Sequence, residues 1–345
     1  ALAFDIEVYC KAKPDAQNDP IIMVGISTND SDKVITYKNV SAEYIEIVDD
    51  ETSMIKRFLD NILEYNPDII YTYNGDTFDF PYIYERAKKL KIHHPILNEI
   101  RIDKRGINDS SKIPGMVHID LYPLSRKLLS LNKYTLENVY LNFLGKEKSK
   151  IQLAEMNKFW EEGTQEGLLT VALYNMEDAI AAKEIGAAIG PLEIELSRIV
   201  GQNIFDLSRM ASSNMVEYLL MKRSFEEKTI VPNKPKGSEY LKRASYTYEG
   251  GFVLDPQKGL HEHIAVFDFR SLYPSIIIAH NIDPNTIGCG CCDNTSPDGI
   301  NFCLNKKGFI PEILKEIIER RVEIKRKLKE TSDKNEKTIY QRSEE

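Results

Sequence analysis

Asp5 and Glu7 stand two residues apart in "FDIEVY", Phe4 to Tyr9, inside a run that otherwise reads as a buried β-strand. Side chains at i and i+2 of a strand share a face, so these two carboxylates converge. Held together they repel each other unless a cation neutralises them, and hard divalent ions such as Mg2+ favour all-oxygen ligands. A strand with one solvated face would show the same pair. Two further stretches supply companions. "YNGDTFDFPY" sets Asp79 at a helix start, after Asn74 and next to Phe78, where an acid also serves as an ordinary cap. "YNMED" sets Tyr174 and Asp178 at i and i+4, on one helix face.

These residues need a scaffold. "LAFDIEVY", "IIMVGIST" and "KVITYKN" read as successive strands separated by Pro, Asn and Asp turn signals. From Glu51 to Tyr65 apolar residues recur at helical spacing and stop before Pro67. "DIIYTYN" reads as another strand, and "PYIYERAKKL" opens a helix with proline at its start, a pattern that suits a mixed α/β sheet. Leu168 to Leu207 is helix-rich, with a break expected at Gly190-Pro191. The Pro/Lys-rich "VPNKPKG", Val231 to Gly237, is the best boundary candidate. Beyond it, "IAVFDFRSLYPSIIIAHN" reads as strand, turn and helix, and Pro311 to Glu330 as a charged amphipathic helix.

With 345 residues the chain has length for roughly two to three domains. At 42% hydrophobic and 28% charged residues it reads as soluble globular material, and its longest apolar runs are too short to cross a bilayer. A cytoplasmic protein is expected, and a start inside a strand suggests a piece of something longer. The net charge of −8 gives no global sign of nucleic-acid binding, although a basic groove coexists readily with acidic metal sites. Cys289, Cys291, Cys292 and Cys303 cluster apart from Cys10. Their spacing is not a paired C-x-x-C framework, and zinc ligation, a disulfide and plain thiols all stay open.

"FDIE", "YNGDTFD" and "YNMED" resemble the three motifs of the 3′→5′ proofreading exonuclease of B-family DNA polymerases, archaeal members above all. The resemblance continues through "LSRIVGQ", "VPNKP", "YEGGFV", "FDFRSLYPSIIIAHNIDP" and "GFIPEILKEIIERR", and so spans nearly the whole chain. It implies an α/β architecture: an RNase H-like exonuclease domain over 1–190, a helical connection and linker over 191–255, a partial α+β palm over 256–312 and partial helical fingers over 313–345.

The resemblance also implies roles. Asp5, Glu7, Asp79 and Asp178 would hold two Mg2+ ions, with Mn2+ as the alternative, and Tyr174 would orient the attacking water. Asn74 and Phe78 would position a single-stranded 3′ end. "DFRSLYPS" looks like the first palm motif: Asp268 would bind the metals of nucleotidyl transfer, and the turn Phe269 to Leu272, Ser271 included, would aim backbone amides at triphosphate oxygens. Tyr273 corresponds to the residue packed beneath the deoxyribose. Arg321 and Lys325, one helical turn apart, would grip the incoming deoxynucleoside triphosphate. Tyr248, Gly250 and Gly251 of "YEGG" would contact template DNA.

The family's second fingers motif and its Y-x-D-T-D palm motif do not occur in the chain. With Asp268 alone at the polymerase site, exonuclease without primer extension is the expectation; either the chain is a piece of a longer polymerase, or the polymerase is split and a second polypeptide carrying the remaining palm, fingers and thumb is a partner beside primer–template DNA. A non-catalytic replisome scaffold is the competing class, disfavoured because Asp5, Glu7, Asp79, Asp178 and Asp268 are all in place. A free-standing nuclease would have no use for "DFRSLYPS".

Overall fold

The structure is a computed structural model that describes residues 1–104, 109–246, 250–269 and 271–332. The chain divides into two compact units, Ala1–Tyr218 and Leu219–Glu345. Among the described residues no helix is long and apolar enough to cross a membrane.

The first unit opens with β1 (Leu2–Val8), β2 (Ile21–Thr28), β3 (Asp32–Thr36) and β4 (Ile45–Ile47). Then come α1 (Glu51–Tyr65), β5 (Ile69–Thr72), α2 (Asp79–Lys89), α3 (Pro95–Glu99), β6 (Arg101–Asp103), β7 (Ser110–Lys112) and β8 (Val117–Asp120). Helices α4 (Leu121–Leu128), α5 (Leu136–Leu144), α6 (Leu153–Glu162), α7 (Gln165–Val200) and α8 (Ile204–Leu207) follow, and α9 (Ser212–Glu226) runs across the division between the units. Six strands form one sheet in the order β4-β3-β2-β1-β5-β8, while β6 and β7 make a separate hairpin pair. β1 lies inside that sheet, antiparallel to β2 and parallel to β5.

Because β1 is covered on both sides, its period of two separates two cores. Leu2, Phe4, Ile6 and Val8 pack with Met54, Ile55, Phe58 and Ile62 of α1 and with Phe80 and Ile83 of α2. Phe4 meets Phe58 and Phe80 at ring-centroid distances of 4.8 and 5.1 Å. Burying each such ring contributes about 1.5–3 kcal/mol. On the other face Ala3 packs with Ala181, Ala182 and Ile185 of α7. Asp5 and Glu7 continue that second face, toward α7.

Helix α1 begins where the Asp50 side chain accepts from Ser53 N and ends at Asn66, φ 46°, just before Pro67. Helix α7 contradicts the break expected at Gly190-Pro191: it runs uninterrupted from Gln165 to Val200 with Pro191 inside. The glycine there serves packing. A Cβ at Gly186 would lie 2.4 Å from the Tyr71 ring and one at Gly190 would lie 2.8 Å from the Tyr71 hydroxyl, so the pair admits this side chain of β5 against the helix. Buried contacts along the whole helix offset the roughly 3 kcal/mol that an internal proline costs.

The second unit holds α10 (Ser238–Ser245), α11 (Leu272–Ala279) and α12 (Phe309–Glu330). The expected strand at "IAVFD" is absent: residues 264–268 have no ladder, and Val266 and Phe267 are 89% and 91% exposed. A strand needs a neighbour to satisfy its amides and carbonyls, and among the described residues none lies beside this one.

Candidate active site

The two ends of the acidic constellation are brought together by a close approach of helix to sheet. Gly25 pairs with Asp5 across β1 and β2. A Cβ on Gly25 would lie 2.5 Å from the Asn175 carbonyl oxygen, so only glycine lets α7 settle this near the strands. Asn175, fully buried, then donates its side-chain amide to Asp5 Oδ2 at 3.0 Å and to the Asp5 carbonyl at 3.2 Å. One turn of α7 places Tyr174 and Asp178 over the same strand face.

As a result, carboxylate oxygens of Asp5, Glu7 and Asp178 all lie within 4.8 Å of one another. Glu7 and Asp178 are buried, at 8% and 6% exposure, while Asp5 keeps a partly open face. Burial first, and Asp178 next, push Asp5 and Glu7 well above the usual carboxylate range. Burial raises Asp178 to about 6 against the opposing pull of Lys148. The neighbouring Tyr174 hydroxyl also favours the Asp178 carboxylate, and burial followed by the Asp178 charge raises that hydroxyl in turn.

Asp79 reaches the group differently. β5 pairs with β1 only at Leu2 and Ala3, so the backbone beyond loses that neighbour, and Ile6 N donates instead to Asp79 Oδ1 at 3.3 Å. Asp79 thus opens α2 from the gap where two parallel strands part, the position at which α/β sheets bind ligands. Its burial, then the charge of Asp120, raises it to about 7. It does not share the mutual 4.8 Å proximity of the other three acids.

The loop between β5 and α2 is held from below. Asp120, at the end of β8, accepts from Asn74 N at 2.8 Å and Asp76 N at 3.0 Å. Asn74 sits at φ 71°, a left-handed conformation that asparagine tolerates, and its side-chain oxygen accepts from Thr77 at 2.6 Å. Phe78 lies next to Asp79, its ring 5.4 Å from Tyr82 and partly exposed. Asp76 forms a two-pronged pair with Arg209, at 2.8 and 3.0 Å, and accepts from Ser111 N at 2.7 Å. In spite of burial, hydrogen bonds and charge from His118 and Arg209 hold Asp76 at about 2.

Lys148, Asn175, Asp76 and Arg209 were not singled out from sequence. Lys148 comes from the loop after α5; its ammonium pairs with Asp178 and stands 4.0 Å from the Tyr174 ring centroid, with 2% of its side chain exposed. Asn175 carried a signal: it adjoins Tyr174 in "YNMED", on the helix flank turned to the strand.

The residues expected at a polymerase site lie in the second unit and are not assembled into a cluster comparable to the first. Asp268 and Phe269 are exposed on the segment that lacks a ladder. Ser271, φ 50°, precedes the first turn of α11, where Leu272 and Tyr273 are 40% and 77% exposed. Arg321 and Lys325 occupy exposed positions one turn apart on α12. Gly250 and Gly251 have open surroundings, and Tyr248 lies outside the described residues.

The exonuclease domain of DNA polymerase family B matches residues 1–139, and DNA polymerase family B matches residues 206–344. A DNA polymerase of Pyrococcus horikoshii is 43% identical over 344 residues, covering 98% of this chain and 28% of that protein. A DNA polymerase of Pyrococcus glycovorans is 44% identical over 344 residues, covering 98% of this chain and 44% of that protein. The structure of the family B DNA polymerase from the hyperthermophilic archaeon Pyrobaculum calidifontis is similar with a TM-score of 0.77 and 25% identity, over 99% of this chain and 44% of that one. This chain therefore spans less than half the length of these relatives. With Asp5, Glu7 and Asp79 inside the first matched region, Asp268, Arg321 and Lys325 inside the second, and identity of 43–44% across nearly every residue, the chain belongs to DNA polymerase family B.

Proposed function

We propose that this chain is the 3′→5′ proofreading exonuclease and part of the polymerase region of a DNA-directed DNA polymerase. The observation that carries the reading is the convergence of Asp5, Glu7 and Asp178, with Tyr174 on the last of them, beside Asp79 in the gap between β1 and β5. Three to four carboxylates form an all-oxygen donor set suited to Mg2+ or Mn2+. Burial and then mutual repulsion raise their proton affinity, and a divalent cation would relieve that repulsion.

Asp5, Glu7, Asp79 and Asp178 would hold two such ions, which when bound supply Lewis acidity for hydrolysis of the terminal phosphodiester. The protein's own groups do the positioning. Asn175 fixes the rotamer of Asp5 and leaves its open side toward substrate. Tyr174 orients the attacking water with its hydroxyl while Asp178 and Lys148 hold the ring in place. Asn74 and Phe78, on the loop locked by Asp120 and Asp76, receive the single-stranded 3′ end.

The exonuclease domain is assigned to 1–190, within the compact unit that runs to residue 218, and the helical connection and linker to 191–255. Residues 256–312 and 313–345 contribute part of the palm and fingers. There Asp268 would bind metal, the amides after Phe269 with Ser271, Leu272 and Tyr273 would meet the nucleotide, and Arg321 and Lys325 would meet its phosphates. Tyr248, Gly250 and Gly251 would contact the template. Synthesis requires the further palm, fingers and thumb sequence that the longer relatives supply, on this polypeptide or a second one, and the cytoplasm is the compartment in which such an enzyme meets DNA.

A gel assay of 5′-labelled primer–template with a mismatched 3′ end, Mg2+ and all four deoxynucleoside triphosphates tests this. Shortening without extension is expected. Extension by this chain alone would overturn the requirement for further palm sequence, and an intact primer would favour a scaffold subunit.

A further inference from the structure

Independently of that reading, we propose that Cys289, Cys291, Cys292 and Cys303 form a tetrathiolate zinc site that fixes the connection between α11 and α12. The four sulfurs all lie within 4.8 Å of one another, with Cys291 Sγ 3.5 Å from Cys292 Sγ and 3.6 Å from Cys303 Sγ. A tetrahedral ion with Zn–S bonds of about 2.3 Å separates its sulfurs by about 3.8 Å, so the cluster needs only small adjustments to take one. A disulfide needs about 2.05 Å, and all five cysteines of the chain are free thiols. Any single disulfide would also leave two of the four sulfurs crowded and unused. Thiolate donors select zinc over the hard cations suited to the carboxylate cluster.

The backbone is shaped for such a site although the spacing is not a paired C-x-x-C. Residues 286–303 fold back as a compact hairpin, with Gly288 N donating to Asn301 O at 2.9 Å and Cys303 N to Thr286 O at 2.8 Å. This return brings Cys303 alongside three cysteines that are close in sequence. Donors then face the sulfurs: Leu304 N lies 3.3 Å from Cys292 Sγ and Asn305 Nδ2 lies 3.6 Å from Cys291 Sγ, while the backbone amides of Asn305 and Lys306 favour the Cys303 thiolate. Hydrogen bonds of this kind stabilise metal-bound thiolates. On binding, each thiol releases its proton to solvent, so four thiolates and Zn2+ leave a net charge of −2.

The second unit has a use for a staple. Beyond residue 218 the buried hydrophobic residues among those described are Phe302, Cys303 and Ile313. So small a core is the setting in which structural metals supply folding energy. The same hairpin sets the start of α12: Asn281 Nδ2 donates to Cys303 O at 2.6 Å, its Oδ1 accepts from Gly308 N at 3.0 Å, and buried Asp283 accepts from Ile310 N at 2.8 Å. A metal at the four cysteines therefore orders the root of the helix that carries Arg321 and Lys325.

The test is elemental analysis of the full chain purified under reducing conditions, followed by exchange of zinc for Co2+. One equivalent of zinc is expected, and the cobalt form is expected to show sulfur-to-cobalt charge transfer with intense tetrahedral d–d bands, which carboxylate ligation at the other cluster cannot produce. Cys292→Ser should weaken zinc retention by about 10²-fold or more, whereas Cys10→Ser, in the first unit, should retain it. Should Cys292→Ser fail to fold, the cobalt spectrum of the unaltered chain still decides the matter. Absence of both the zinc and the charge-transfer band in reduced protein overturns the proposal, as does a disulfide among these cysteines in freshly trapped protein analysed by mass spectrometry.

Discussion

The ammonium of Lys148 rests on the carboxylate of Asp178, at the point where Asp178 also meets the Tyr174 hydroxyl. Lysine here opposes the mutual repulsion of Asp5, Glu7 and Asp178. Because it acts through Asp178 and Tyr174, its loss should impair chemistry more than ion binding. For Lys148→Met, the exonuclease rate is expected to fall about 10- to 100-fold, while Mn2+ affinity measured by calorimetry stays the same or rises. Parallel loss of Mn2+ binding and activity would instead make Lys148 a support for the whole cluster.

The acids themselves set a pH dependence. Asp79 and Asp178 stand at about 7 and about 6 in the folded chain, against roughly 3.9 when unfolded. Across that interval the folded state keeps protons that the unfolded state has released, so stability falls as pH rises. In EDTA, Tm is expected to be higher at about pH 5 than at about pH 8, and Mg2+ or Mn2+ should restore it at the higher pH only, since ions bind the deprotonated acids. Asp178→Asn should flatten the slope. A metal-free Tm that rises over this range would contradict the burial of the cluster.

Arg209 and Asp76 form the opposite kind of contact, a buried pair whose carboxyl is held at about 2. Its stabilisation is complete above roughly pH 3.9, the unfolded value, and is lost as pH falls through the folded one. Arg209→Ala leaves Asp76 charged and unpaired under the loop that carries Asn74 and Asp79, at a cost of about 3–5 kcal/mol by urea unfolding. Removing both partners should cost less than the sum of the two single changes. Additive effects would show that the pair is not coupled.

Much of the first unit was legible because its signals are periodic. Asp5 and Glu7 alternate with the residues of one core, and Tyr174 and Asp178 are one helical turn apart. Lys148 was not legible, since a loop lysine gains meaning only when α5 and α7 bring it over the strand. Asp76 was not legible either, since the partner that gives it a role, Arg209, lies far away in sequence. Gly190-Pro191 read as a stop because a lone sequence does not reveal the Tyr71 hydroxyl that Gly190 admits. "IAVFD" has the composition of a strand, and composition cannot supply the neighbour that a strand requires. In the cysteine cluster, spacing pointed away from a ligand set that the hairpin nevertheless assembles.

The most direct measurement is release of nucleotides from a 3′-labelled single-stranded oligodeoxynucleotide with Mg2+, comparing the chain with its Asp5→Asn and Asp178→Asn variants. The expected result is stepwise release of mononucleotides from the 3′ end, stopped by EDTA and reduced about 10³-fold or more in both variants. Equal rates in all three proteins, or no release by the unaltered chain with either Mg2+ or Mn2+, would contradict the assignment of these carboxylates as an exonuclease site.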